Sequence, residues 1–151
     1  NYHNRNKLSQ KIEDQYKAKY WNNLNQMLAK MDIISIHCPY TPGTFHLLSK
    51  TRLKILKKNS IIINTSRGEI VDENALADFL LKNKFSAAGL DVYEHEPQVS
   101  PKLLELKNVV LLPHISSATK ESREAMALRV IKNIEKFLSG KKPADIVRII
   151  Q

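Results

Sequence analysis

Ile61-Ile62-Ile63-Asn64-Thr65-Ser66-Arg67-Gly68 is a short apolar run that ends in a polar turn carrying an arginine and a glycine. Three β-branched residues in a row are too few for a helix and suit a central strand buried on both faces. The same order recurs downstream. Phe85 to Leu90 reads as a strand, with small residues from Ser86 to Gly89, and leads into Asp91-Val92-Tyr93-Glu94-His95-Glu96-Pro97. Val109-Val110-Leu111-Leu112 reads as another strand and leads into Pro113-His114-Ile115-Ser116-Ser117-Ala118-Thr119. Upstream, Ile33-Ile34-Ser35-Ile36-His37 reads as a strand stopped by Cys38-Pro39.

Helical patterns fill the gaps. Ser9 to about Lys19 is polar and helical. Asn22 or Asn23 can cap a helix through Lys30, with Leu24, Met27 and Leu28 on one face. Pro42-Gly43 marks a turn, and Ser49 caps a helix over Lys50 to Leu56. Asp72 caps another through Leu81, with Leu76, Phe79 and Leu80 apolar. Pro97 and Pro101 bound a loop. Thr119 caps the longest helix, to about Leu138, with Met126, Val130, Ile134 and Phe137 spaced for a core face and Gly140 placed to end it. Alternating strands and helices predict a parallel α/β sheet with right-handed crossovers.

The composition narrows the partners. At 151 residues the chain is one domain's worth. Its net charge of +9 would suit a polyanion, but the lysines are scattered and no recognition motif accompanies them. We therefore expect a lysine-rich solvated surface and no nucleic acid. No apolar stretch reaches the ~20 residues of a membrane helix, so no membrane is expected. The single cysteine, Cys38, allows no intrachain disulfide and favours a reducing compartment, read as cytoplasmic. The five histidines show no metal-ligand spacing, and no metal is expected. The opening Asn1-Tyr2-His3-Asn4-Arg5 is polar and lacks an initiator methionine, which reads as a chain that starts inside something longer.

Position and chemistry then converge. An arginine, a glutamate and a histidine each follow a different strand, and open α/β sheets bind ligands outside the carboxyl ends of their strands. Arginine can clamp a carboxylate through two parallel hydrogen bonds. A histidine beside a carboxylate can move a proton near neutral pH. Glu94 and Glu96 both flank His95, and the residues alone leave open which one serves. The four glycines, Gly43, Gly68, Gly89 and Gly140, stand far apart, so no G-x-G-x-x-G is present. Either the fold is different or the first half of a nucleotide domain lies outside the chain.

These three blocks, with Asp32-Ile33-Ile34-Ser35-Ile36-His37-Cys38-Pro39 and Thr44-Phe45-His46-Leu47-Leu48, resemble the C-terminal part of the nucleotide-binding domain of D-isomer-specific 2-hydroxyacid dehydrogenases. The resemblance runs from Tyr2 to Ala144 and is greatest to the glyoxylate/hydroxypyruvate reductases. It implies an incomplete Rossmann-like, doubly wound parallel sheet lacking the first strand and the glycine-rich turn. Residues 1–140 would be a partial NAD(P)-binding domain and 141–151 a C-terminal tail.

The resemblance also implies roles. Arg67 would bind a small 2-oxo acid, Glu96 rather than Glu94 would pair with His114 because it precedes Pro97, and His95 would be an exposed bystander. Asp91 would face the nicotinamide side. Cofactor contacts would come from Asn4, Arg5, His37, Pro39, Thr65, Ser66, Arg67, Asp91, His114, Ser116 and Ser117. Ser116 departs from the glycine common there in the family. Arg5, with Lys7 nearby and no acid at the end of the second strand, favours NADP over NAD. The parent would be a homodimer that reduces glyoxylate or hydroxypyruvate. Two other readings stay open: a non-enzymatic, corepressor-like nucleotide sensor, and an inactive truncated product. The isolated chain is expected not to catalyse.

Overall fold

The computed structural model describes residues 1–3 and 6–147. Asn4 and Arg5, both expected to touch the cofactor, lie outside the described residues. Two compact units divide the chain, residues 1–114 and 115–151.

The first unit holds one sheet of four parallel strands: β1 (Ile33–Ile36), β2 (Ile61–Asn64), β3 (Ala87–Leu90) and β4 (Val109–Leu111). Their order in space is their order in sequence. The register sets Ile36 beside Asn64, Asn64 beside Leu90, and Leu90 beside Leu111, so β1 to β4 end at one edge. Helices α1 (Gln10–Tyr16) and α2 (Leu24–Leu28) precede the sheet, and α3 (Lys50–Leu53), α4 (Glu73–Lys82) and α5 (Pro101–Leu104) make the crossovers. Asn23, Ser49 and Asp72 cap α2, α3 and α4 by accepting the N–H three residues on, as their sequence positions predict.

The core lies on one face of this sheet. Ile34, Ile36, Ile62, Ala88 and Leu90 pack there with Leu53, Leu76, Leu80 and Leu103. Ile33, Ile61 and Val110, one residue out of phase, are exposed. The expectation that Ile61-Ile62-Ile63 is buried on both faces therefore holds only for Ile62. The strand order never reverses, and crossovers of one hand then all fall on one side. Several element ends also move: α1 stops at Tyr16 and α2 at Leu28, short of the expected Lys19 and Lys30. Phe85 and Ser86 precede β3 in a turn closed by the Ser86 N–H on the Asn83 carbonyl, and α3 stops at Leu53, although Leu56 is still buried.

The second unit is built on α6 (Lys120–Leu138), capped by Thr119 as expected. Its predicted core face is not buried: Met126, Val130, Ile134 and Phe137 are all more than half exposed. Within the unit, the segment after the helix is tied back by polar contacts. Arg129 holds the Asp145 carboxylate in a two-bond fork, and Asn133 accepts the Ala144 N–H at 2.9 Å. No helix among the described residues is long and apolar enough to cross a membrane.

Candidate active site

The site is built where the polar loops leave β1, β2, β3 and β4. β2 ends on Asn64, a buried polar residue in an otherwise apolar strand. Its amide shapes the next turn from both ends: Oδ1 accepts the Ser66 N–H at 3.1 Å, and Nδ2 donates to the Arg67 carbonyl at 2.9 Å. The Ser66 hydroxyl donates to the Cys38 carbonyl, tying this turn to the loop after β1. Arg67 is thereby presented on a fixed backbone while its guanidinium stays exposed, one nitrogen donating to the Ser66 carbonyl at 2.6 Å.

Gly68 opens a 3-10 turn, Gly68–Ile70, pressed against the loop after β3. A Cβ at Gly68 would stand 1.9 Å from the Tyr93 carbonyl carbon and 2.4 Å from the Glu94 nitrogen. Only glycine lets the Arg67 turn approach that loop so closely. Tyr93 is fixed in its turn, because its buried ring carries a hydroxyl that donates to the Leu112 carbonyl at 2.8 Å. Burial pushes the Tyr93 pKa up, which keeps the hydroxyl a donor.

Glu96 and His114 meet. His114 Nδ1 lies 2.8 Å from Glu96 Oε2, and Glu96 Oε1 accepts the Tyr93 N–H at 3.0 Å. An ionised carboxylate only accepts, so Nδ1 carries the hydrogen and Nε2 is the nitrogen left to face a ligand. His114 adopts a left-handed backbone, φ 54°. The His114 hydrogen bond holds the Glu96 carboxyl below the usual carboxylate range, the Tyr93 N–H and the charges of His114 and Arg67 help, and partial burial opposes them. The Arg67 charge thus reaches the pair. Beside it, a mainly apolar cavity of about 350 Å³ is lined by Tyr93, Pro97, Val99, Leu104, Leu111 and their neighbours.

Glu94 turns the other way. Its Oε1 lies 2.8 Å from His46 Nε2, so the two glutamates serve different histidines. His95 between them is exposed. Asp91 is fully buried directly after β3, and its N–H donates to the Asn64 carbonyl at 3.0 Å. His37 is exposed past β1 with Nε2 2.8 Å from the Ser35 hydroxyl, and the Pro39 carbonyl accepts from Thr44 at 2.7 Å. Thr65 is exposed at the end of β2; Ser116 and Ser117 are exposed in the second unit. Sequence reading missed Asn64, Tyr93 and His46. Only Asn64 carried a signal, as an amide closing an apolar strand.

A titration checks the pair in this chain. In His114→Ala the main cause of the Glu96 shift is gone, so the carboxyl should rise toward the ordinary value of about 4.3. Its folded pKa is depressed, so the stability linked to it is present above the unfolded pKa and lost as pH falls through the folded one. Carboxyl 13C shifts across acid pH read this directly. An identical midpoint in the wild type and the variant would show that the bond does not form in solution.

A parallel α/β sheet with an imidazole–carboxylate pair and an arginine past its carboxyl ends sets a proton-transfer group and an anion-binding group where sheets of this class bind nucleotides and other ligands. Residues 1–116 match the family described as D-isomer specific 2-hydroxyacid dehydrogenase, NAD binding domain, and the chain belongs to that family. It is 46% identical over 135 residues to a glyoxylate reductase of Thermococcus litoralis, covering 89% of this chain and 40% of that protein. It is 43% identical to a glyoxylate/hydroxypyruvate reductase B of Erwinia tasmaniensis, covering 96% of this chain and 45% of that one. Among solved structures, an NADPH-dependent glyoxylate/hydroxypyruvate reductase of Sinorhizobium meliloti in complex with NADP and malonate superposes with a TM-score of 0.86 at 33% identity, over 97% of this chain and 44% of that one. The chain thus spans less than half the length of these relatives.

Proposed function

We propose that the complete protein carrying this chain reduces a small 2-oxo acid, glyoxylate or hydroxypyruvate, to the 2-hydroxy acid with a nicotinamide cofactor. The observation that carries this reading is the 2.8 Å Glu96–His114 pair at the ends of neighbouring strands, with the Arg67 charge acting on it. Arg67 holds the substrate carboxylate and polarises the 2-oxo group. His114 Nε2 gives a proton to the developing alkoxide, while Glu96 holds the ring in place through Nδ1. The bound cofactor supplies the hydride. The residues present fit it: His37, Thr65 and Arg67 stand exposed just past the carboxyl ends of β1 and β2. His37, Pro39, Thr65, Ser66, Asp91, Ser116 and Ser117 are its proposed contacts, with Asn4 and Arg5 assigned from sequence. The test is NAD(P)H consumption by the complete protein with each oxo acid. Cofactor binding without consumption would favour a nucleotide sensor over an enzyme.

NADP is the proposed preference, because Arg5 suits a 2′-phosphate and no acid competes with it. Arg5→Asp should therefore weaken NADPH binding by about tenfold while changing NADH binding little, an amount in line with one charge-assisted bond. Calorimetry with both cofactors measures this, and equal losses would remove Arg5 as the discriminator. We assign residues 1–140 to part of the NAD(P)-binding domain and 141–151 to a tail. A homodimer in the cytoplasm completes the proposal.

A further inference from the structure

We infer that His46 and Glu94 form a positioning pair that sets the Arg67 turn at its working distance from the Glu96–His114 pair. The inference rests on the oxo-acid reading of the site. The loop after β3 carries two carboxylates two residues apart, each on its own imidazole at 2.8 Å. The two pairs differ in exposure. The side chains of His114 and Glu96 are 46% and 36% exposed, those of His46 and Glu94 only 28% and 14%. The more buried pair is less screened by water and is the better anchor.

His46 touches both arms of the site. Its backbone N–H donates to the Glu69 carbonyl at 2.9 Å, inside the 3-10 turn that follows Arg67. Its ring holds the loop that bears Glu96, through Glu94. Gly68 of the same turn lies against the backbone of Tyr93 and Glu94, so this side-chain bond and that backbone packing close one junction. The far side of the loop is anchored too: the Glu94 N–H donates to the buried Glu73 carboxylate at 2.9 Å, and the other oxygen of Glu73 accepts the Ser100 N–H at 3.0 Å.

The backbone of His46 is left-handed, φ 45°, which is uncommon for a residue with a Cβ. The Phe45 ring stacks on the imidazole at 3.9 Å between centroids. The His46 ring is engaged by Glu94 and its backbone by the turn after Arg67, so it acts through Arg67 and Glu96 and is a positioning residue.

The test is steady-state kinetics on the complete protein with glyoxylate and NADPH. His46→Phe keeps a ring for Phe45 but has no donor for Glu94. His46→Gln keeps a donor and gives up the ring. His46→Phe should raise the KM for glyoxylate about tenfold and leave the KM for NADPH unchanged, less than the ~100-fold a 1 Å misplacement can cost. His46→Gln should restore most of the loss. Glu94→Leu removes the acceptor from the other side and should match His46→Phe, which keeps the test valid if that variant does not fold. A wild-type KM for glyoxylate in Glu94→Leu, or equal losses in the Phe and Gln variants, would overturn the inference. His114→Ala run alongside separates the two claims. Its loss of turnover beside a wild-type Glu94→Leu sinks this inference alone, whereas turnover surviving in His114→Ala sinks the oxo-acid reading and this inference with it.

Discussion

His114→Ala in the complete protein should lower turnover by about 100- to 10,000-fold, the usual contribution of a positioned proton donor. The expectation comes from the geometry. His114 Nδ1 is committed to Glu96, so Nε2 is the atom left to serve a substrate. The ring is nearly half exposed on its side chain, so little packing is lost with it. The melting temperature should therefore stay within a few degrees of the wild type, a shift of about 1 kcal/mol at most. The chemical step would change and the fold would not. Turnover near the wild-type level, measured with substrate and cofactor saturating, would remove His114 from the mechanism.

Gly68→Ala should strongly destabilise the fold of this chain. An added Cβ would fall 1.9 Å from one backbone atom and 2.0 Å from another, both in Tyr93. Backbone cannot swing away as a long side chain can. Tyr93 is also held by its hydroxyl on the Leu112 carbonyl, and its N–H by Glu96. The clash must separate the Arg67 turn from the Glu96 loop or deform both. The cost should reach at least the upper end of the ~1–3 kcal/mol typical of overpacking. The midpoint of urea unfolding measures it. A variant as stable as the wild type would mean that the two loops are not in contact in solution. The same variant of the complete protein should also lose oxo-acid binding, because Arg67 would leave its place.

Sequence by itself determined the alternation of strands and helices, and with it a parallel sheet. Ile61-Ile62-Ile63 and Val109-Val110-Leu111 are β-branched or apolar runs too short to be helices, and the polar caps Asn23, Ser49, Asp72 and Thr119 sit where the helices begin. Local chemistry decides such features, so they can be read without neighbours. Arg67 and His114 stood out as candidates for the same reason, each just past an apolar run. The choice of Glu96 over Glu94 was legible only through the resemblance to a family. Its physical cause is tertiary, since each carboxylate turns to the imidazole that the fold places beside it, and His46 comes from a turn 48 residues away. The same holds for Gly68, where the need for glycine arises from a backbone that is distant in sequence. Burial was the least legible property. Ile61 and the stripe Met126, Val130, Ile134 and Phe137 have the periodicity of a core yet are exposed. Periodicity says which residues share a face, and only the packing of other elements decides whether that face is covered.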